Sequence, residues 1–342
     1  MLRPLFMSAV MFPRRCFLSF QNIRRSLCTD KPWQEISVPV PWGQISGKWW
    51  GPTNVRPILC IHGWQDNCGT FDRLLPLLQK NVAFLAIDLP GHGCSSHLPL
   101  GMYYHFTNYI ITIKSIIRHF NWPKISLMGH SLGGITSYTY TMLYPDNVDF
   151  VACIDGAKPM TRKRTILHLA NEITKFVKNN DYAMTNVEPP SYTIEEIKKK
   201  IHAPNKGSVY LEFAHYIMER NIAPSKVNPG KYYFTRDPRL KSGELLTFSQ
   251  SDLVEFAQNI KCPIFVIKAR GGSYYEAKEN FYEVLDVLKR SSVDCDFHYI
   301  EGTHHAHLNN PNDELAQLFR NFIQKHYYSE DRSIGSLDCI RL

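Results

Sequence analysis

A serine hydroxyl is a poor nucleophile at neutral pH, so it needs exposure on the backbone and a neutral base within reach of its proton. Ser131 satisfies the first condition by its neighbours. It stands in Gly129-His130-Ser131-Leu132-Gly133, after the apolar run Ile125-Ser126-Leu127-Met128 and before a stretch that can continue as a helix. A strand-to-helix turn that sharp forces backbone against backbone, so the positions two before and two after the serine must lack side chains, and both are glycine. This context reads as a nucleophile elbow.

The base must come from elsewhere in the chain. Of the fourteen histidines, three crowd into Glu301-Gly302-Thr303-His304-His305-Ala306-His307-Leu308-Asn309-Asn310-Pro311, between the last expected strand and the last expected helix. His304 lies closest to the strand end and is expected to be the base. His307, one turn later, is expected to hydrogen-bond the loop, and His305 to point elsewhere. Attack on a carbonyl also needs fixed donors where its oxygen becomes negative. The backbone N–H of Leu132 is expected to be one. The other is expected from the loop His62-Gly63-Trp64-Gln65-Asp66, at the residue after Gly63, so Trp64 is assigned by its backbone, with its ring available to line a pocket.

These residues need a scaffold, and the hydrophobic pattern describes one. Ile36–Val40 and Gln44–Trp50 read as an antiparallel pair joined through Pro41-Trp42-Gly43. Pro57–Ile61 and Val82–Ile87 are short apolar runs of the kind buried on both faces of a parallel sheet. Between them Phe71, Leu74, Leu75 and Leu78 recur at helical spacing, and Tyr109, Ile113, Ile116, Ile117 and Phe120 do so before the elbow strand. Phe150–Ile154 is a further strand. The alternation stops at Gly156 and resumes near Cys262 with strands at Pro263–Ile267 and Phe297–Ile300 and helices through Phe281–Leu288 and Leu315–Ile323. The pattern predicts an α/β fold with a mostly parallel, doubly wound sheet and an inserted helical cap. The expected division is a targeting or disordered leader (1–30), a core (31–155 and 260–328), a helical cap insertion (156–259) and a tail (329–342).

Composition excludes several classes. With 342 residues, 44% hydrophobic and 20% charged, the chain can bury a large core. Its formal charge of +8 includes five arginines (Arg3, Arg14, Arg15, Arg24, Arg25) that precede the first acidic residue, Asp30; the excess of about three that remains is too small to argue for nucleic acid. The Arg-rich, acid-free leader looks like a mitochondrial transit peptide, and its apolar pieces are too short for a membrane span. Cytoplasmic and peroxisomal locations are the alternatives, the latter because Cys339-Ile340-Arg341-Leu342 only loosely matches a peroxisomal ending or a prenylation box. Nine scattered cysteines without a Cys-x-x-Cys pair indicate a reduced compartment, with neither a disulfide framework nor a zinc site.

In order along the chain, His62-Gly63-Trp64, Asp88-Leu89-Pro90-Gly91-His92-Gly93-Cys94-Ser95-Ser96, Gly129-His130-Ser131-Leu132-Gly133-Gly134 and Gly302-x-His304-x-x-His307-x-x-x-Pro311 resemble the α/β-hydrolase superfamily. The chain looks most like its serine hydrolase-like proteins, with Asp66-Asn67 and Thr235-Arg236-Asp237-Pro238-Arg239 adding to the similarity. Epoxide hydrolases and dehalogenases of the superfamily carry an aspartate where Ser131 stands, so the departure points to acyl transfer.

The resemblance implies a carboxylate that orients His304, commonly a few residues beyond the strand at Pro263–Lys268. Gly271-Gly272 occupies that place. Some members carry the acid at the end of the preceding strand, where Asp155 stands. Asp155 is preferred, with Glu276 and a weakened dyad as alternatives; Asp88 and His92 are expected to shape a loop beside the site. The implied activity is a serine hydrolase cleaving a carboxylester or thioester through an acyl-serine, with a small-molecule acyl substrate and no metal or organic cofactor. A binding or scaffold protein on the same fold, and a carbon–carbon bond hydrolase, are the alternatives. Phe213, Tyr216, Tyr232, Tyr233 and Phe234 either favour a hydrophobic acyl group or fill the core of the cap.

Overall fold

The computed structural model describes residues 32–78, 81–161, 166–185, 187–245, 248–311, 313–328 and 332–333; the expected leader and nearly all of the expected tail, with the targeting signals read there, lie outside the described residues. Eleven strands are described: β1 (Trp33–Val40), β2 (Gly43–Trp50), β3 (Ile58–Ile61), β4 (Phe84–Ile87), β5 (Ile125–His130), β6 (Val148–Ile154), β7 (Ser191–Tyr192), β8 (Ile222–Pro224), β9 (Tyr232–Phe234), β10 (Ile264–Ala269) and β11 (Cys295–Ile300). Eight form one sheet in the order β1-β2-β4-β3-β5-β6-β10-β11, in which only β2 runs against the others. The central strands are buried along their whole length, as Ile58-Leu59-Cys60-Ile61 and Phe84-Leu85-Ala86-Ile87 show, because helices cover both faces.

Two apolar clusters flank the sheet. One packs Tyr109, Ile113 and Ile116 of α1 (Phe106–His119), Tyr138 and Tyr140 of α2 (Leu132–Leu143), and Val284, Leu285 and Leu288 of a later helix against Leu127, Val151 and Val266. The other sets Phe319, Phe322 and Ile323 near the C-terminus against Met128, Phe150 and Phe265. The residues at helical spacing from Phe71 to Leu78 do not make an α-helix. They form two 3-10 turns, Cys68–Phe71 and Leu75–Leu77. Pro76 explains the difference, since it donates no amide bond and disfavours the α conformation at Leu75.

The chain between β6 and β10 carries α3 (Ile166–Met184), α4 (Ile194–His202), α5 (Ala214–Asn221) and α6 (Gln250–Ala257), with a small antiparallel sheet ordered β7-β9-β8. It has an apolar cluster in which Phe213, Tyr216, Tyr232 and Phe234 pack on Ile197, Val209 and Ile217, joined by Leu308 from the loop after β11. Those four aromatic residues therefore have structural work there. Asn67 Nδ2 donates to the Ile217 carbonyl at 2.7 Å, and the Arg220 guanidinium reaches Asp88 and Glu35, which ties this segment to the sheet. Beyond β10 lie α7 (Lys278–Ser291) and, after β11, α8 (Asp313–His326). Among the described residues no helix is long and apolar enough to cross a membrane, and six cysteines are free.

Candidate active site

Ser131 leaves β5 at its C-terminal end with φ +53° and ψ −117°, a strained conformation for a residue with a side chain. Its backbone is held rigidly: its N–H donates to Ile154 O at 2.9 Å and its carbonyl accepts from Ile135 N–H at 3.0 Å. The glycines around it are needed for space. A Cβ on Gly129 would lie 2.1 Å from Gly133 O, and one on Gly133 would lie 1.9 Å from Ile61 O. The elbow expected from the sequence is thus present in geometry.

His304 enters from the loop after β11. Its Nε2 lies 2.8 Å from Ser131 Oγ, and its Nδ1 lies 2.5 Å from Asp155 Oδ2. That pattern makes Nδ1 the protonated nitrogen, donating to the carboxylate, and leaves Nε2 to accept from the serine hydroxyl. His304 is 4% exposed, and burial lowers its proton affinity below the ordinary imidazole value against the opposing pull of Asp155. A neutral ring is the form that can take a proton from serine.

Asp155 follows β6, the strand beside β5, and also sits at positive φ, +49°. Its Oδ1 accepts from Lys268 Nζ at 2.6 Å and from Ala269 N–H at 3.0 Å, so both oxygens are bound and the carboxylate is fixed. Glu276 is elsewhere engaged: its Oε1 lies 2.7 Å from Lys158 Nζ, and its Oε2 accepts from Thr161 N–H at 2.9 Å. The structure thus brings Ser131, Asp155 and His304 together and leaves Glu276 out. In the sequence Lys268 stands only as a strand end and Gly272 only as a position without a carboxylate, so their roles beside Asp155 were not read there. A lysine at the end of an otherwise apolar strand was the available signal for Lys268, since a buried ammonium needs an anionic partner.

Leu132 is the first residue of α2, where an N–H has no acceptor within the helix. Gly63 lies against the elbow, because a Cβ there would stand 3.3 Å from Ser131 Cβ; this places the start of the Trp64 loop beside the serine. That loop is braced by His92, whose Nε2 accepts from Gln65 N–H at 3.0 Å, and by His62, whose Nε2 accepts from Leu89 N–H at 2.9 Å. The Trp64 indole is half exposed and its Nε1 donates to Leu240 O at 2.8 Å. Asp88 holds the Cys68 and Cys94 amides at 2.9 and 2.8 Å, which is a loop-shaping position. His307 bonds Thr70 Oγ1 at 2.9 Å, and His305 turns away from the serine toward Ser208 and Asp66.

Comparison with known proteins agrees with this architecture. The profile of the alpha/beta hydrolase fold family matches residues 56–187. A Drosophila melanogaster protein named "Probable serine hydrolase" is 36% identical over 86% of this chain and 89% of its own length. A Danio rerio "Serine hydrolase-like protein" is 32% identical over 90% and 94%. Among solved structures, a hypothetical protein from Pseudomonas aeruginosa PAO1 superposes with TM-score 0.73 at 25% identity, covering 85% of this chain and 99% of that one. The thioesterase domain from the curacin biosynthetic pathway superposes at 0.68 with 19% identity, covering 84% and 99%, and speaks for the fold alone. The chain belongs to the α/β-hydrolase superfamily, among the serine hydrolase-like proteins.

Proposed function

We propose that this protein is a serine hydrolase that cleaves an ester-like bond, carboxylester or thioester, through an acyl-serine intermediate. The observation that carries the reading is the hydrogen-bonded series Ser131 Oγ, His304 Nε2, His304 Nδ1, Asp155 Oδ2, spanned by contacts of 2.8 and 2.5 Å. In this reading His304 Nε2 takes the hydroxyl proton as Ser131 Oγ bonds to the acyl carbon. The carbonyl oxygen becomes negative against the Leu132 and Trp64 amides. His304 then passes its proton to the departing alcohol or thiol as the acyl bond to it breaks. Water repeats the sequence: its proton goes to His304, its oxygen bonds to the acyl carbon, and Ser131 recovers the proton as the acid leaves. Asp155 holds the Nδ1 proton throughout and supports the imidazolium form. The segment between β6 and β10 acts as a cap over this end of the sheet.

The scaffold alternative drew its weight from Gly271-Gly272 at the usual acid position, and a carboxylate already bound to His304 removes that reason. A fluorophosphonate probe is expected to label wild-type protein at Ser131 and to leave Ser131→Ala unlabelled. A panel of acyl esters and thioesters is expected to show turnover by wild type that His304→Ala loses. Folded wild type that neither takes the probe nor turns over any ester would overturn the reading.

A further inference from the structure

Asp66, His130 and His305 converge in the interior just behind the site, one donor atom from each lying within 4.8 Å of the other two. They are 3%, 0% and 8% exposed. Each is already oriented by a second partner. His130 Nε2 donates to the His304 carbonyl at 2.8 Å, which leaves Nδ1 with a lone pair and no protein partner. His305 Nδ1 lies 2.8 Å from Ser208 Oγ, which leaves Nε2 facing Asp66 Oδ2 at 3.6 Å. Asp66 Oδ1 accepts from Asn67 N–H at 2.8 Å, while Oδ2 has no hydrogen-bond partner in the protein. With His305 in the tautomer whose Nδ1 donates to Ser208 Oγ, three lone-pair atoms meet in a buried space. That is costly for acceptors alone and favourable around a cation.

We propose that Asp66, His130 and His305 form a transition-metal site, with Zn²⁺ as its natural class of ion. Two imidazoles and one carboxylate are donors that suit zinc, and metal-bound histidines characteristically donate their other ring N–H to an oxygen, as His130 does to the His304 carbonyl and as Ser208 Oγ allows for His305. Tetrahedral zinc with bonds of about 2.0–2.1 Å sets its ligands about 3.3 Å apart. The Asp66–His305 edge at 3.6 Å is close to that value, and the other two edges are no longer than 4.8 Å. Gly63 keeps the space beside His130 clear, since a Cβ there would lie 3.1 Å from Nδ1. Two of the ligands, His130 and His305, are sequence neighbours of Ser131 and His304, so a bound ion ties the elbow to the histidine loop. Its role is positional and independent of the reading of Ser131 as nucleophile.

The test uses the full chain, stripped with a chelator and dialysed against Zn²⁺, with metal content and thermal unfolding as readouts. Wild type and Ser131→Ala are expected to take up one Zn²⁺ per chain and to unfold at higher temperature with it. Asp66→Asn and His305→Gln are expected to lose both effects. Ser208→Ala, which removes only the partner of His305 Nδ1, is expected to bind about 10–100-fold more weakly. No uptake by wild type at micromolar zinc, as a protonated His305 paired with Asp66 or a bridging water would give, overturns the proposal. So does uptake that is unchanged in both ligand variants. If those variants fail to fold, X-ray absorption of zinc-loaded wild type decides: two imidazole ligands support the site, and fewer overturn it.

Discussion

The Asp155 carboxylate occupies the volume that a side chain at Gly272 would need. A Cβ on Gly272 would fall 2.2 Å from Asp155 Oδ2 and 2.7 Å from its Cγ. The glycine beyond β10 is therefore the complement of an acid delivered from β6. Gly272→Ala must push Asp155 off His304 Nδ1, and misplacement on the scale of an ångström costs on the order of a hundredfold in rate. Steady-state ester hydrolysis is expected to show that loss in kcat with KM little changed. An unchanged kcat in folded Gly272→Ala would mean that the position of Asp155 does not matter to the reaction.

The two carboxylates weighed for orienting His304 separate cleanly by substitution. Asp155→Asn keeps the shape of the side chain but removes the charge that supports the imidazolium, and the corresponding change in serine-histidine-aspartate sites costs on the order of 10⁴ in kcat. Glu276→Gln instead weakens a buried pair with Lys158 and is expected to lower thermal stability while leaving kcat near wild type. Burst kinetics with an aryl ester, run on both variants beside their unfolding curves, would expose the reverse pattern if Glu276 were the partner.

The elbow was legible because its requirements are local: Gly129, Ser131 and Gly133 are fixed by one turn, and the apolar strand before them is contiguous. His304 was legible by position, since the loop after the last strand had one histidine nearest the strand end. The acid was not fixed by sequence, because its identity depends on sheet order. With β6 between β5 and β10, Asp155 stands next to the elbow, and only packing reveals that Gly272 makes room for it. The helix expected through Phe71–Leu78 failed on one residue, Pro76, inside an otherwise convincing periodicity. Phe213, Tyr216, Tyr232 and Phe234 carried no substrate information, since composition cannot distinguish a pocket wall from the core of the segment that contains them.

Lys268 holds Asp155 from the side opposite His304, with Nζ 2.6 Å from Oδ1 and 3.0 Å from Ser273 O. Both members of the pair are buried, and removing one partner leaves the other charge without compensation, at a cost of roughly 3–5 kcal/mol. Lys268→Met is expected to lower urea stability by that order and to reduce kcat, because Asp155 then keeps only Ala269 N–H and His304. Stability within experimental error of wild type would show that the pair contributes nothing net.

Asp88 predicts an acid limit to stability. Burial alone would raise its pKa, but Arg220 and the Cys68 and Cys94 amides outweigh that and bring it from 3.8 to about 2. A carboxyl depressed in the folded state contributes stability that is fully present above the unfolded value and is lost as pH falls through the folded value. The window therefore runs from about pH 4 down to about pH 2, and a shift of this size corresponds to about 2 kcal/mol. The loss should fall on one junction, because Arg220 Nε reaches Asp88 Oδ2 at 2.8 Å from α5 while its other nitrogens grip Glu35 on β1. Urea unfolding at stepped pH is expected to show this decline in wild type and a shallower one in Asp88→Asn, which is less stable at neutral pH. Identical acid slopes in the two proteins would remove Asp88 as the cause.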